Sequence, residues 1–203
     1  MKNHLKDFIP EASYEQVMEL LNQHSFKLKI VNQRVTKHGD FRLLRDGNYQ
    51  ITLNNTLNKY QFLITLLHEL AHLLTFTENQ QAKPHGKEWK KTFQHLMLPY
   101  LNPDIFPKEL LPLVASYIKN PKASTDSDIK LSLALKKYTL DSGKNYIFEL
   151  PLGSLFYFKN SIFRKGNKRR VRIECVELKS KRNFLFNPNV EVEVVKDLEK
   201  KQK

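Results

Sequence analysis

Leu67-His68-Glu69-Leu70-Ala71-His72-Leu73-Leu74 sets two imidazoles and a carboxylate inside an apolar run of helical period. On a helix, residues four apart stand above one another with Cβ atoms roughly 5–6 Å apart, so His68 and His72 can share one metal ion. Glu69, the intervening neighbour, is left to work on water. This is the arrangement of a zinc hydrolase, in which two imidazoles and a third ligand hold the ion and the glutamate takes a proton from metal-bound water. Tyr60, Phe62, Leu63, Leu66, Leu67, Leu70, Ala71, Leu73 and Leu74 make the segment apolar nearly all round, which predicts a buried helix running to about Phe76. Burying these three polar side chains without partners is costly, and a bound cation is the usual remedy.

Catalytic zinc needs a third protein ligand. His85 is the leading candidate: it lies in Lys83-Pro84-His85-Gly86-Lys87-Glu88-Trp89, where proline and glycine permit a sharp approach to the motif helix. Trp89, Phe93, Leu96 and Met97 recur at helical spacing, so His85 stands at the entrance of a second helix. Glu78, Glu88 and His95 are rival donors. Glu88 reads better as a first-turn charge at a helix's positive end, and His95 as an ordinary helix histidine.

The elements that must position these residues precede the motif. Pro10 and Glu11 open a helix whose apolar face is Tyr14, Val17, Met18, Leu20 and Leu21. Phe26 to Val31 alternates as a strand, Phe41 to Leu44 reads as a second, and Tyr49 to Leu53 follows the turn Asp46-Gly47-Asn48 as a third. The expectation is a short antiparallel sheet, with the 49–53 strand as an edge that could hold an extended peptide by main-chain hydrogen bonds. Asn54 to Asn58 reads as a loop with a helix cap.

These segments together resemble the SprT-like zinc metalloproteases, a family that includes the Spartan proteases acting on DNA–protein crosslinks. The resemblance rests on the helix, on Gln50-Ile51-Thr52-Leu53-Asn54-Asn55-Thr56-Leu57, on the motif and on His85-Gly86-Lys87-Glu88-Trp89, and it covers about residues 10 to 118. It implies an α+β, zincin-like domain, one zinc ion bound by His68, His72 and His85, and Glu69 as catalytic acid/base. Many family members continue into a zinc ribbon with paired cysteines. This chain has one cysteine, Cys175, so that second metal site cannot be built.

Length and composition bound the rest. A chain of 203 residues can hold one ordinary domain or two small ones. Thr65, His68, Glu69 and His72 interrupt the longest apolar stretch, so no membrane segment is expected, and Met1 to Glu11 lacks the apolar core of a secretory signal. The single Cys175 excludes an internal disulfide and fits a reducing, cytoplasmic setting, where it reads as a small buried packing residue.

The net charge of +13 is unevenly spread. Residues 1–128 hold 16 Lys+Arg against 13 Asp+Glu, a balance of +3, and residues 129–203 hold 18 against 8, a balance of +10. Such a field favours a polyanion as partner, with a merely soluble basic surface as the alternative. The division expected is a metalloprotease domain at 1–118, a polar linker at 119–128, a small basic all-β module at 129–196 with five short strands, and a charged tail at 197–203. Arg164, Lys165, Lys168, Arg169, Arg170 and Arg172 cluster at what reads as a glycine-containing turn, with Phe156, Tyr157, Phe158 and Phe163 nearby, as phosphate contacts would require. Two functions follow from these features. One is a zinc peptidase acting on protein substrates associated with or crosslinked to DNA. The other is a nucleic-acid-binding protein with a structural zinc and no peptidase activity.

Overall fold

The structure is a computed structural model that describes residues 2–34, 37–139 and 143–195. The expected tail at 197–203 lies outside the described residues. The chain forms two units, Met1–Leu140 and Asp141–Lys203.

In the first unit, Ser13 Oγ donates to Pro10 O at 2.6 Å and closes a 3-10 turn, Glu11–Ser13, that leads into α1 (Tyr14–Asn22). Val17 and Leu21 of α1 enter the core, as the helical spacing requires. Three strands follow: β1 (Lys27–Val31), β2 (Gly39–Leu43) and β3 (Tyr49–Asn54). Their order is β1-β3-β2, with β1 parallel and β2 antiparallel to β3. The expected antiparallel sheet is therefore corrected to a mixed one, and the 49–53 strand is its centre and not its edge. Burial explains the placement. Gln50 to Asn54 are all buried, on both faces of the strand, whereas β1 and β2 keep partly exposed residues. Arg34 satisfies the polar side of β3, donating from Nε to Asn54 Oδ1 at 2.8 Å and from Nη1 to Thr52 Oγ1 at 2.9 Å.

Asn58 caps α2 (Lys59–Glu78), its Oδ1 accepting from Gln61 N at 3.0 Å. Twelve of the helix's residues are buried, so α2 runs through the core and does not lie on it. α3 (Lys87–Met97) packs on it through Trp89, Phe93, Leu96 and Met97, and α4 (Leu111–Lys119) adds Val114, Tyr117 and Ile118.

The first unit continues past the expected border at residue 118. Residues 121–128, within the stretch 119–128 read from sequence as a polar linker, are tied down by Tyr117 Oη donating to Lys122 O at 3.0 Å and by a 3-10 turn at Thr125–Ser127 whose Thr125 is buried. Asp128 then caps α5 (Ile129–Lys136), and Leu131 and Leu135 join the first core. The polar composition of this stretch reflects caps and tight turns, not solvation.

The second unit is a six-stranded sheet in which every pairing is antiparallel, in the order β4-β9-β5-β6-β7-β8. The strands are β4 (Asn145–Tyr146), β5 (Leu155–Phe158), β6 (Ser161–Arg169), β7 (Arg172–Glu177), β8 (Asn183–Phe186) and β9 (Glu191–Val194). Ile147, Leu150, Phe156, Phe163, Ile173, Cys175, Phe186 and Val192 form its core. The runs 146–150, 155–158, 171–176, 183–186 and 190–195 predict five of these strands, the first of which is cut to two residues by a 3-10 turn at Ile147–Glu149, and β6, the longest, is not among them. Lys159 and Asn160, both at positive φ, make the two-residue turn that pairs it with β5. No helix among the described residues is long and apolar enough to cross a membrane.

Candidate metal centre

α2 supplies His68 and His72 one turn apart, and a tight turn supplies His85. Gly86 N donates to Lys83 O at 2.8 Å, and His85 sits at φ 60°, the left-handed position that a Pro-containing type II turn requires after its proline. Gly86 is required for the closeness of this turn, since a Cβ there would lie 2.7 Å from Lys83 O. The result is a triangle of ring nitrogens. The Nε2 atoms of His68 and His72 are 3.2 Å apart, those of His68 and His85 3.2 Å, and those of His72 and His85 3.0 Å.

Such a triangle cannot satisfy itself by hydrogen bonds. Each neutral ring nitrogen is either donor or acceptor, so at least one edge of any triangle sets like against like. A cation at its centre satisfies all three at once. Among the described residues, His68, His72 and His85 are the only such group of possible metal donors, and Glu78, Glu88 and His95 are exposed and stand apart from it. The indole of Trp89 packs against all three rings, with centroids 4.6, 5.2 and 4.7 Å from those of His68, His72 and His85, and stacks on Phe93. This aromatic backing holds the rings in place from beneath.

The electrostatics favour neutral imidazoles. Burial, then the neighbouring histidines, pushes His68 down to about 2, burial and His85 push His72 down to about 4, and burial lowers His85. Neutral rings are the form a metal needs. Glu69 is pushed up to about 7 by burial and by the charge of Asp40, while the backbone N–H of Phe41 bonds to its carboxylate and opposes the rise. A carboxyl group in that range exchanges protons readily near neutrality.

Glu69 and His68 open onto a cavity of about 170 Å³, lined also by Lys37, His38, Gly39, Thr65 and residues 123–126. Sequence reasoning missed this wall. Lys37-His38-Gly39-Asp40 has the composition of a turn and Asp126 falls in the expected linker, yet His38 Nε2 lies 2.8 and 3.0 Å from the two carboxylate oxygens of Asp126. A separation of 88 residues leaves no local pattern to find.

The six basic residues of the second unit divide. Arg164, Lys168, Arg170 and Arg172 are exposed. Lys165 is half-buried, its Nζ donating to the carbonyls of Phe148 and Leu150, and Arg169 Nε pairs with Glu174 at 3.1 Å. Gly166 is not in a turn. It lies within β6 at a register shift, where a Cβ would meet Glu174 O at 2.7 Å.

The sequence model of the SprT-like family matches residues 10–106. Protein SprT of Yersinia enterocolitica is 34% identical over 105 residues, 44% of this chain and 60% of that protein. Protein SprT of Klebsiella pneumoniae is 32% identical over 105 residues, 44% of this chain and 61% of its own length. Protein SprT of Proteus mirabilis is 49% identical over 48 residues, 22% of this chain and 29% of its own. The chain thus spans at most about three fifths of these curated relatives. No solved structure matches it. By the family match and by these relatives alike, residues 10–106 of this chain are similar to the SprT-like family.

Proposed function

We propose that this chain is a zincin-like, zinc-dependent peptidase. The observation that carries the reading is the triangle of three Nε2 atoms beside a buried glutamate. Tetrahedral zinc with ligand distances of about 2.0–2.1 Å needs nitrogens about 3.3 Å apart, close to the 3.0–3.2 Å of His68, His72 and His85. Three neutral imidazoles are a donor set typical of catalytic zinc. Bound there, zinc would act as a Lewis acid toward water and a peptide carbonyl.

The chain's own residues do the rest. Glu69, held by the Phe41 N–H, takes a proton from the attacking water and returns it to the departing amine. β2, one of the two outer strands of its sheet, carries Gly39 against Glu69 and takes over the peptide-aligning role first expected of the 49–53 strand. The exposed Arg164, Lys168, Arg170 and Arg172 support a substrate class of proteins associated with or crosslinked to DNA, since cations on a sheet can contact phosphates. The free, buried Cys175 is consistent with work in the cytoplasm.

The test compares wild type with Glu69→Gln on an unstructured protein, with and without DNA, alongside metal analysis. Both proteins should carry one zinc per chain, and the variant should lose at least about 100-fold in rate. Equal inactivity of the two would overturn the peptidase reading and leave a nucleic-acid-binding protein with a structural metal.

A further inference from the structure

His38 is fixed more firmly than a turn residue needs to be. Its carbonyl accepts from Asn54 N at 2.9 Å, and the next residue, Gly39, is pressed against Glu69. Its Nε2 faces both oxygens of Asp126 at 2.8 and 3.0 Å, and the Gln61 side-chain amide, 3.3 Å away, must turn its oxygen to the ring when Nε2 carries a proton. An ionised carboxylate only accepts, so the proton of this contact sits on Nε2 of the imidazole. The carboxylate also compensates the charge of a protonated ring, and in that form Nδ1 carries the second proton.

The location matters as much as the pairing. His38 and Asp126 line the same cavity as His68 and Glu69. Peptide hydrolysis at Glu69 would generate an anionic oxygen on the scissile carbonyl within reach of this cavity, and a donor fixed in advance is worth most at that moment. Two other donors lining the cavity are committed: Lys37 Nζ to Asp40 at 2.7 Å and Thr65 Oγ1 to Gln61 O at 2.7 Å.

We propose that His38 is a catalytic residue of this site, its imidazolium donating through Nδ1 to the oxyanion of the tetrahedral intermediate, and that Asp126 is the positioning residue that holds the ring. The inference rests on the peptidase reading and adds to it the group that stabilises the developing charge. It also gives the 121–128 stretch a function, because that stretch carries Asp126 to the cavity.

The experiment uses the full chain, loaded with zinc, and the variants His38→Ala, His38→Leu and Asp126→Asn. The two His38 variants should lose about 10²–10³ in kcat with KM within about threefold of wild type. Their zinc content and thermal midpoint should match wild type. Added imidazole should restore part of the rate to His38→Ala and none to His38→Leu. Asp126→Asn, which keeps the ring and loses its anchor, should fall less. Binding supplies a second readout: a phosphinic peptide, whose tetrahedral anion mimics the intermediate, should bind the His38 variants more weakly by about the same factor as the fall in kcat, whereas a product peptide should bind all alike. In the metal-free wild type, nitrogen NMR should show Nε2 of His38 protonated. Wild-type rates and unchanged phosphinate affinity in the His38 variants, loss of zinc with loss of rate, or an Nδ1–H neutral tautomer would each overturn the proposal. A zinc-loaded wild type without hydrolytic activity is a different result and overturns the peptidase reading itself.

Discussion

Gly39 and Glu69 touch so closely that a Cβ on the glycine would lie 2.7 Å from both Cγ and Oε1 of the glutamate. The same Cβ would come 2.8 Å from Cγ2 of Thr65, so the added methyl has no room on either side. The missing side chain at residue 39 is therefore what lets β2 reach the carboxylate proposed as the general base. In Gly39→Ala, Glu69 must swing off the Phe41 N–H. The expected outcome is a fall in kcat of about 10- to 100-fold with zinc retained, because a displacement near 1 Å can cost that much in a positioned reaction. Steady-state kinetics beside metal analysis check it.

Gly86→Ala should act on the metal and not on the base. The new Cβ would meet a backbone oxygen, Lys83 O, at 2.7 Å, and the turn that aims His85 must open. Zinc affinity should fall about 10- to 100-fold, as it does when supports of metal ligands are removed. Competition against a chelating dye measures this, and an unchanged affinity would show that the turn is not needed to place His85.

Removing the metal should destabilise the protein, since an ion bound by the folded state alone contributes through mass action. The metal-free protein should also become less stable as pH falls from about 7 to about 5. His68 and His72, lowered to about 2 and about 4, stay neutral when folded, while in the unfolded chain they protonate near 6.5. The unfolded state then binds more protons, so stability is lost on acidification. Glu69 works the other way: raised to about 7 from 4.5, it is protonated in the folded state first and gives stability that disappears as pH rises. The histidines outnumber it. Metal-free Glu69→Gln should therefore show a steeper loss of thermal midpoint on acidification than metal-free wild type.

Asn58→Ala should destabilise the first unit by roughly 2 kcal/mol, combining a missing cap with the loss of the amide's own bonds, while Leu135 O keeps Tyr138 N as a donor at 3.0 Å. The side chain does two jobs: Oδ1 caps α2 at Gln61 N, and Nδ2 donates to Leu135 O at 2.9 Å and to Thr139 Oγ1 at 3.0 Å. Urea denaturation followed by circular dichroism provides the measurement. A loss near 1 kcal/mol would assign Asn58 the cap alone.

In the second unit, removal of the exposed cations and removal of the half-buried one should have different consequences. Replacing Arg164, Lys168, Arg170 and Arg172 with Ala should weaken DNA binding and reduce the salt slope by about one for each phosphate no longer neutralised. Lys165→Met should instead lower thermal stability, because its Nζ serves the carbonyls of Phe148 and Leu150. DNA binding by the full chain that is flat between low and high salt would rule out a role for these cations at phosphates.

What could be read without the fold was local. His68 and His72 share a face because a helix repeats every 3.6 residues, and the unbroken apolar run around them announced that this helix is buried. Pro84 and Gly86 announced the sharp turn at His85, and short β-like runs separated by Gly, Pro and Asn marked most strands of the second half. Each of these depends on backbone geometry within a few positions.

The tertiary structure decided what depends on distant partners. β3 became the central strand because both its faces could be buried, and a strand's neighbours are not written in its own period. The cations of 164–172 were taken for a turn because Gly166 and Asn167 look like one, whereas in the sheet they form the irregularity in a long strand facing Glu174. His38 and Asp126 are unremarkable where they stand in the chain. Only the folding of residues 121–128 onto the first unit brings that carboxylate within 2.8 Å of that ring, since a hydrogen bond depends on separation in space and not on separation along the chain.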